Sequence, residues 1–267
     1  VTTNNLANAG TTTVAANAKL TVTGTEGVNT GVITLGTGSQ GSGGSLVVAK
    51  GGSLVNTGSI AVAASGVGNV LVNGKLDNFV TKDVSGKAVN TYGKISGVTV
   101  TVADGGVLST KIGADEYFAK NTIVSEGGTF NLTELNSQST PNATTPVYDQ
   151  TLIAGGTTLT LDGGAITLNG EAYDNAKIQL GLMSKVSGSD VYSTGTLIVK
   201  SGTYTADQLV FRKNDTQDTQ AKSNLSISKG ASYTLNTLDA RNGTVDVAGA
   251  LTVSKKLSAA ADSSFSV

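Results

Sequence analysis

The chain lacks several residue types on which common functional sites depend. Its 267 residues include no histidine, no cysteine and no tryptophan, and only two prolines. Without histidine there is no Ser/His/Asp triad, no imidazole base and no His-ligated metal, and without cysteine there is no disulfide or thiolate site. The 18 Lys and Arg against 19 Asp and Glu give a net charge of −1, so no positive field collects phosphates. Nucleic acid is therefore not expected as a partner.

What remains is a composition typical of strands and turns. There are 35 glycines, aromatic residues make up only 4% of the chain, and Val, Thr, Ser, Asn and Ala fill most of the rest. This favours an all-β protein with a thin aliphatic interior. No apolar run approaches the roughly 20 residues that a membrane-spanning helix needs, so no membrane-spanning segment is expected.

A short phrase of strand, glycine turn and apolar anchor recurs along the chain. The clearest copies are AKGGSL (49–54), LVNGKL (71–76), ADGGVL (103–108), SEGGTF (125–130), LDGGAI (161–166), VKSGTY (199–204) and VAGALTV (247–253). A second phrase, NTGVITL (29–35), returns as NTGSIAV (56–62) and more faintly as TYGKISGV (91–98). Units of about 20 residues that cannot bury their own apolar face must stack on one another.

The repeat predicts a single right-handed parallel β-helix, a β-solenoid with inserted surface loops, over residues 1–267. The pattern runs up to the last residues, so we expect the chain to be a piece of a longer surface protein. The clearest strands are expected at 98–102, 157–161, 196–199 and 225–228. Six anchors are predicted to point into the core: Leu54, Leu76, Leu108, Phe130, Ile166 and Leu251.

Four stretches lack the repeat pattern and are predicted to be loops on the surface: 77–97, 134–150, 170–192 and 211–223. Within the third, residues 172–185 could form a turn or two of helix. The glycine-rich segment 36–44 is expected to be a flexible loop, since it lacks the lysine and following helix of a phosphate loop. Loop tyrosines could stack on sugars or partner proteins, or simply cover the rod; these are Tyr92, Tyr117, Tyr148, Tyr173 and Tyr192.

The carboxylates do not form an obvious catalytic or metal site. Asp115 and Glu116 are adjacent, so in a strand they would point to opposite faces. Three further aspartates lie outside calcium-binding spacings and are expected to be turn formers; these are Asp104, Asp162 and Asp190. Four charged residues lie together in a polar loop without further residues that would complete a catalytic site. They are Arg212, Lys213, Asp215 and Asp218. No catalytic, cofactor-binding or metal-binding residue is therefore predicted.

Asn-X-Ser/Thr triplets are interpreted as chance products of a chain rich in these residues, and not as glycosylation sites. They begin at Asn131, Asn142, Asn214, Asn224 and Asn242.

The phrases NTGSIAV, AKGGSLV and VADGGVL resemble those of autotransporter (type V secreted) passenger domains of Gram-negative bacteria, in particular pertactin-like and diffuse-adherence adhesins. The resemblance implies a right-handed β-helix displayed outside the cell, anchored in the outer membrane by a barrel beyond this sequence. It also implies a non-catalytic role in adhesion or self-association. The expected partner is a host-cell surface, a glycan or another copy of the chain.

Other function classes stay open at this point. A polysaccharide-active β-helix enzyme, a lyase or hydrolase, would show a carboxylate cluster in a groove, and a passive spacer would bind nothing. An ice-binding solenoid is suggested by Thr-X-Thr at Thr21/Thr23, Thr99/Thr101 and Thr158/Thr160, but a regular array would need such pairs on every turn.

Overall fold

The structure is a computed structural model. It describes residues 1–37, 43–63, 66–82, 88–111, 117–133, 150–153, 157–168, 171–172, 177–186, 189–211, 222–241, 243–260 and 263–267. The chain divides into two compact units, the first formed by 1–134 with 164–170 and the second by 135–163 with 171–267. The prediction of a single rod over 1–267 stays a prediction.

Every regular element in the described ranges is a β-strand. The first group is β1 Thr2–Thr3, β2 Ala7–Asn8, β3 Thr11–Ala15, β4 Lys19–Val22, β5 Gly27–Asn29, β6 Val32–Thr37, β7 Gly44–Val48, β8 Ser53–Asn56, β9 Ser59–Val62, β10 Gly68–Val72, β11 Lys75–Asp77, β12 Phe79–Lys82, β13 Ala88–Tyr92, β14 Lys94–Ser96, β15 Thr99–Val102, β16 Val107–Thr110, β17 Tyr117–Phe118, β18 Asn121–Ser125 and β19 Thr129–Leu132. The rest are β20 Gln150–Ile153, β21 Thr158–Asp162, β22 Ala165–Leu168, β23 Glu171–Ala172, β24 Lys177–Leu180, β25 Leu182–Val186, β26 Ser189–Ser193, β27 Thr196–Ser201, β28 Thr203–Phe211, β29 Ser223–Ile227, β30 Ser232–Asp239, β31 Gly243–Val247, β32 Ala250–Ser258 and β33 Ser264–Ser266.

The first unit is a parallel β-helix with three sheets. The first sheet has the order β1-β4-β7-β10-β15-β18, the second β2-β5-β8-β11-β16-β19-β22, and the third β3-β6-β9-β14-β17. Successive strands such as β7, β8 and β9 enter the three sheets in turn, so each circuit of the chain adds one rung to each sheet. The predicted parallel β-helix is confirmed.

The second unit is also built from stacked parallel strands, which form two sheets. One has the order β21-β27-β29-β31-β33 and the other β20-β24-β28-β30-β32. The four strands predicted from alternation are confirmed as β15, β21, β27 and β29, because alternating apolar residues give each strand one face for the interior.

Aliphatic side chains stacked rung on rung fill the interior. Leu54, Leu76, Leu108 and Phe130 pair in register along the second sheet and are at most 1% exposed, as predicted. Burial of such side chains contributes about 1.5–3 kcal/mol each.

Two of the six predicted core anchors are only half-buried. Ile166 pairs with Phe130 from the last strand of the second sheet within its unit, and Leu251 pairs with Tyr233 from β32, the last strand of its sheet. Both side chains lie on the inward side of their sheets, as predicted, and they stay half-buried because each lies on the last rung of its sheet within its unit.

The excursions are shorter than predicted where they are described. In 77–97 only the antiparallel hairpin β12–β13 leaves the rungs, whereas β14 is a rung of the third sheet with Ile95 fully buried. In 170–192, β24 is a rung with Ile178 buried, and the hairpin β25–β26 follows it.

No helical turn occurs in the described part of 172–185, and residues 173–176 lie outside the described residues. The described part of this segment forms strands β24 and β25, separated by Gly181 at φ 89°, a conformation that cannot continue a helix. Residues 134–149 and 212–221, which hold most of the other two predicted loops, lie outside the described residues, as does the centre of 36–44.

Candidate functional site

The outer side of the first sheet of the first unit is here called the first-sheet face. It consists of the outward residues of β4, β7, β10, β15 and β18 in two rows, Lys19, Ser45, Asn69, Thr99 and Asn121, and Thr21, Val47, Leu71, Thr101 and Ile123. Each residue is in register with the next, so the rows run straight across five rungs.

The first-sheet face combines polar and aliphatic side chains. Val47, Leu71 and Ile123 point outward and are half-buried. Thr21 and Thr101 complete the row that contains these three residues. In the other row, Asn121 donates a hydrogen bond to Thr99 Oγ1 at 3.1 Å. Lys19, at the edge, is the one charged residue of the ten.

The neighbouring outer surfaces of the first unit are charged. On the second sheet Lys75 lies 2.7 Å from Asp77 in an ion pair, and Lys94 points outward from the third sheet. The first-sheet face differs from the second sheet in having no ion pair between described residues at its centre, although Val28 and Val32 on the other two sheets are 40% and 39% exposed and its own apolar residues are half-buried.

A second feature is a notch at the turns that join the first sheet to the second. The turns 49–52 and 103–106 each have four residues, but the rung between them turns with only Asn73 and Gly74. The short turn leaves an opening of about 950 Å³, lined by these turns and by Lys75, Val107, Glu126 and Gly127. That volume lies within the range typical of ligand pockets.

The charges around the notch are separated. Lys50 lies on one side, and Asp104 and Glu126 lie on the other. Lys75 is engaged with Asp77. The opening therefore presents a cation and two carboxylates on opposite walls.

A buried ladder of amides supports the turn between the second and third sheets. Asn8 donates to Asn29 at 2.7 Å, Asn29 to Asn56 at 2.6 Å, and Asn56 to Asn78 at 2.6 Å. Asn78 in turn donates to Thr110 Oγ1 at 3.1 Å. The four asparagines are at most 8% exposed, so the ladder is structural and not available to a ligand.

The tyrosines predicted as possible binding residues differ in their surroundings. Tyr117 is buried, packs on Phe130 with ring centroids 5.5 Å apart and shares a hydrogen bond of 2.7 Å with Thr122. Burial raises the pKa of its hydroxyl well above the usual range, an effect that the Thr122 hydrogen bond opposes. A binding role for Tyr117 is therefore excluded by its position in the core.

Tyr92 is half-buried on the hairpin β12–β13. Its ring lies beside Phe79, and the Lys111 ammonium is 5.0 Å from the ring centroid. Tyr148 and Tyr173 lie outside the described residues, and the side chain of Tyr192 is also outside them.

The described carboxylates singled out in the sequence occupy turn or ion-pair positions. Asp104 has φ 52° in the turn before Gly105, as expected of a turn former. Asp162 lies 2.7 Å from Lys200 and accepts a hydrogen bond of 2.9 Å from Ser201; the Lys200 ammonium lowers the pKa of Asp162. No group of three potential metal-ligating side chains occurs among the described residues.

The remaining candidates are only partly described. Asp115, Glu116 and the cluster Arg212, Lys213, Asp215 and Asp218 lie outside the described residues, as does the side chain of Asp190. Of the five asparagine triplets, Asn131 and Asn224 are described: Asn131 accepts a hydrogen bond from Thr167, and Asn224 accepts one from Thr244.

The threonine pairs do not form an ice-binding array. Thr101 is flanked in its row by Leu71 and Ile123, Thr21 by Val47, and Thr160 pairs with Ile198. Aliphatic side chains thus interrupt the rows at the adjacent rungs.

Comparisons with known proteins give one similar structure. No protein-family model matches the chain, and no curated protein sequence matches it. A solved structure with 16% identity is the TibC-catalysed, hyper-glycosylated 55–350 fragment of TibA; the match covers 98% of this chain and 93% of that one, with a TM-score of 0.38. In the described ranges, no helix is long and apolar enough to cross a bilayer.

Proposed function

We propose that this chain is a non-catalytic surface module that associates with other copies of itself through the first-sheet face. The observation that carries the proposal is that Val47, Leu71 and Ile123 lie in one outward row of a sheet face with a single edge charge. Half-buried apolar side chains gain free energy when they are covered further, and identical faces with a single charge at the edge meet with little repulsion.

The size of the face sets the strength of one contact. Five rungs about 4.8 Å apart and strands of four residues give roughly 250–300 Å². A stable protein–protein interface buries about 800 Å² on each partner. A single pair of faces is therefore expected to associate weakly, and dense display of many copies would multiply the effect.

This requirement for density favours a location on a bacterial cell surface, where the chain would act in adhesion or aggregation as the autotransporter-like phrases imply. A host-cell surface or a glycan is the alternative partner for the same face. The ion pair of Asp162 and the turn position of Asp104 support a structural role for these carboxylates, in keeping with a non-enzymatic protein.

Sedimentation velocity over rising protein concentration tests the proposal. The parent chain should show a weak, reversible increase in sedimentation coefficient. Leu71→Lys places a charge in the centre of the face and should weaken association about tenfold or more. Val55→Lys makes the same change on the outer side of the second sheet and should leave association unchanged. A concentration-independent coefficient for the parent, or equal loss in both variants, would reject self-association through this face.

A further inference from the structure

The notch lacks main-chain partners that a full-length turn would supply. Where two four-residue turns are stacked, the Gly105 N–H donates to the Gly127 carbonyl at 2.9 Å. Gly51 holds the same turn position as Gly105, one rung before the notch. Because the next turn is two residues short, the Gly51 N–H has no acceptor and the Gly105 carbonyl has no donor among the described residues.

The walls of the notch also have open space above them. A methyl group on Gly105 would point toward the notch and meet no atom within 4 Å, whereas one on Gly106 would overlap the carbonyl of Val72 in the preceding rung. Asn73 lines the notch, and its Oδ1 atom is buried without a hydrogen-bond partner in the described structure. A buried amide oxygen without a donor is uncommon and often marks a missing partner.

We propose that the notch binds a short glycine-containing turn of another polypeptide, which takes the place of the missing turn. One residue of such a segment would accept from the Gly51 N–H with its carbonyl and donate to the Gly105 carbonyl with its N–H. The distance between the two walls is two rungs, about 9.6 Å, which leaves room for one added polypeptide segment. The site is thus a one-turn form of strand addition.

The side chains around the notch define which segment fits. The wall turns carry a Gly at the position of Gly51, Gly105 and Gly127 with φ between 76° and 82°, so the entering turn needs glycine there. Because Lys75 is paired with Asp77, the remaining charged residues of the lining are Lys50, Asp104 and Glu126, which leaves a net negative charge. A basic residue before the glycines is therefore favoured over an acidic one.

A sugar ring is a poorer fit to this site. No aromatic side chain of the described residues lines the notch, so a pyranose ring would lack the stacking surface that such rings commonly use. The exposed groups are instead a main-chain donor on one wall and a main-chain acceptor on the other. This inference goes beyond the proposed self-association, because no residue of the first-sheet face lines the notch.

Amide NMR of the whole chain tests the inference directly. The probe is the blocked peptide acetyl-Ala-Lys-Gly-Gly-amide, which copies the sequence of the chain's own turn 49–52. Saturable shifts are expected at the Gly51, Gly74 and Gly105 amides. The matched peptide with Glu in place of Lys should bind severalfold more weakly.

Two variants separate binding in the notch from binding elsewhere. Replacing residues 73–74 by Ala-Asp-Gly-Gly fills the notch with a four-residue turn and should abolish the shifts. Asp104→Asn with Glu126→Gln retains the turn, because asparagine tolerates positive φ, and should reduce affinity for the lysine peptide severalfold. This second variant decides the matter if the first does not fold.

Three results would overturn the inference. They are no saturable shift at Gly51 and Gly105, unchanged binding in the carboxylate variant, and equal shifts from a neutral oligosaccharide such as maltoheptaose. Sedimentation of Leu71→Lys is independent of all three, so failure here is distinguishable from failure of the proposed function.

Discussion

At the scale of single residues, the stability of the first unit depends on the hydrogen bonds of the buried amide ladder. Asn56 both accepts from Asn29 and donates to Asn78 inside the protein. Asn56→Ala removes both bonds and leaves a buried donor and a buried acceptor without their partners.

We expect Asn56→Ala to lower the free energy of unfolding by about 2–4 kcal/mol, because each unsatisfied buried group costs about 1–3 kcal/mol. Urea denaturation measures this value. Asn69→Ala, on the exposed outer row, is the matched control and should change stability by less than about 0.5 kcal/mol. Equal effects in the two variants would show that the ladder does not stabilise the fold.

Asp162 provides a prediction about pH at the same scale. Its folded-state pKa is lowered, chiefly by Lys200, so its contribution to stability is present above the ordinary Asp pKa of about 3.9 and is lost as pH falls through the folded value. Since Lys200 is 59% exposed, solvent screens the pair and the contribution is at most about 1 kcal/mol.

Asp162→Asn should therefore destabilise the protein slightly at pH 7, and the difference from the parent should vanish once the pH falls below the lowered pKa of Asp162. Thermal melts at a series of pH values follow the difference, with Asp246→Asn, an exposed carboxylate of the adjoining strands, as the control. A difference that persists unchanged into strong acid would contradict the ion-pair explanation.

At the scale of elements, stacking of the rungs depends on glycines at the turn after the asparagine ladder. A methyl group on Gly58 would overlap the carbonyl of Gly31, one rung away. Gly10 holds the corresponding position in an earlier rung, and a methyl group there would meet no atom within 4 Å.

Gly58→Ala should accordingly cost about 1–3 kcal/mol, because backbone must shift to accept the methyl group. Gly10→Ala, at the matched position, should be nearly neutral. Thermal denaturation of the pair measures the difference, and similar melting temperatures for both would mean that the rungs are less tightly stacked than the structure shows.

The elements also show what the sequence could predict. Alternation of apolar residues located the strands, and the Gly-anchored phrase located Leu54, Leu76, Leu108 and Phe130 in the core. The asparagine ladder could be predicted at Asn29 and Asn56, because each is the first residue of a repeated Asn-Thr-Gly phrase. The sequence does not predict the ladder at Asn78, because the hairpin β12–β13 separates this asparagine from Gly93. It also does not predict it at Thr110, where a threonine takes the ladder position of an asparagine.

The two candidate sites were harder to predict for different reasons. The notch follows from the LVNGKL phrase being two residues shorter at its turn than AKGGSL, a difference visible in the sequence but without meaning until the rungs are aligned. The first-sheet face depends on register across turns of unequal length. Val47, Leu71 and Ile123 become neighbours only when that register is known.

At the scale of the whole molecule, the central claim is that identical chains associate weakly through an uncharged face and become effective at high density. Display of the chain on the surface of non-aggregating bacteria reproduces that density. Cells displaying the parent are expected to settle faster than cells with an empty display system.

Settling of such cells is the measurement that tests the claim most directly. We expect the parent to settle equally at low and high salt, since no charged pair holds the faces together. The Leu71→Lys variant should remain in suspension, and the Val55→Lys variant, displayed at the same level, should settle like the parent. Settling no faster than the empty control, or equally fast with Leu71→Lys, would contradict the claim and leave a passive structural spacer as the role of the chain.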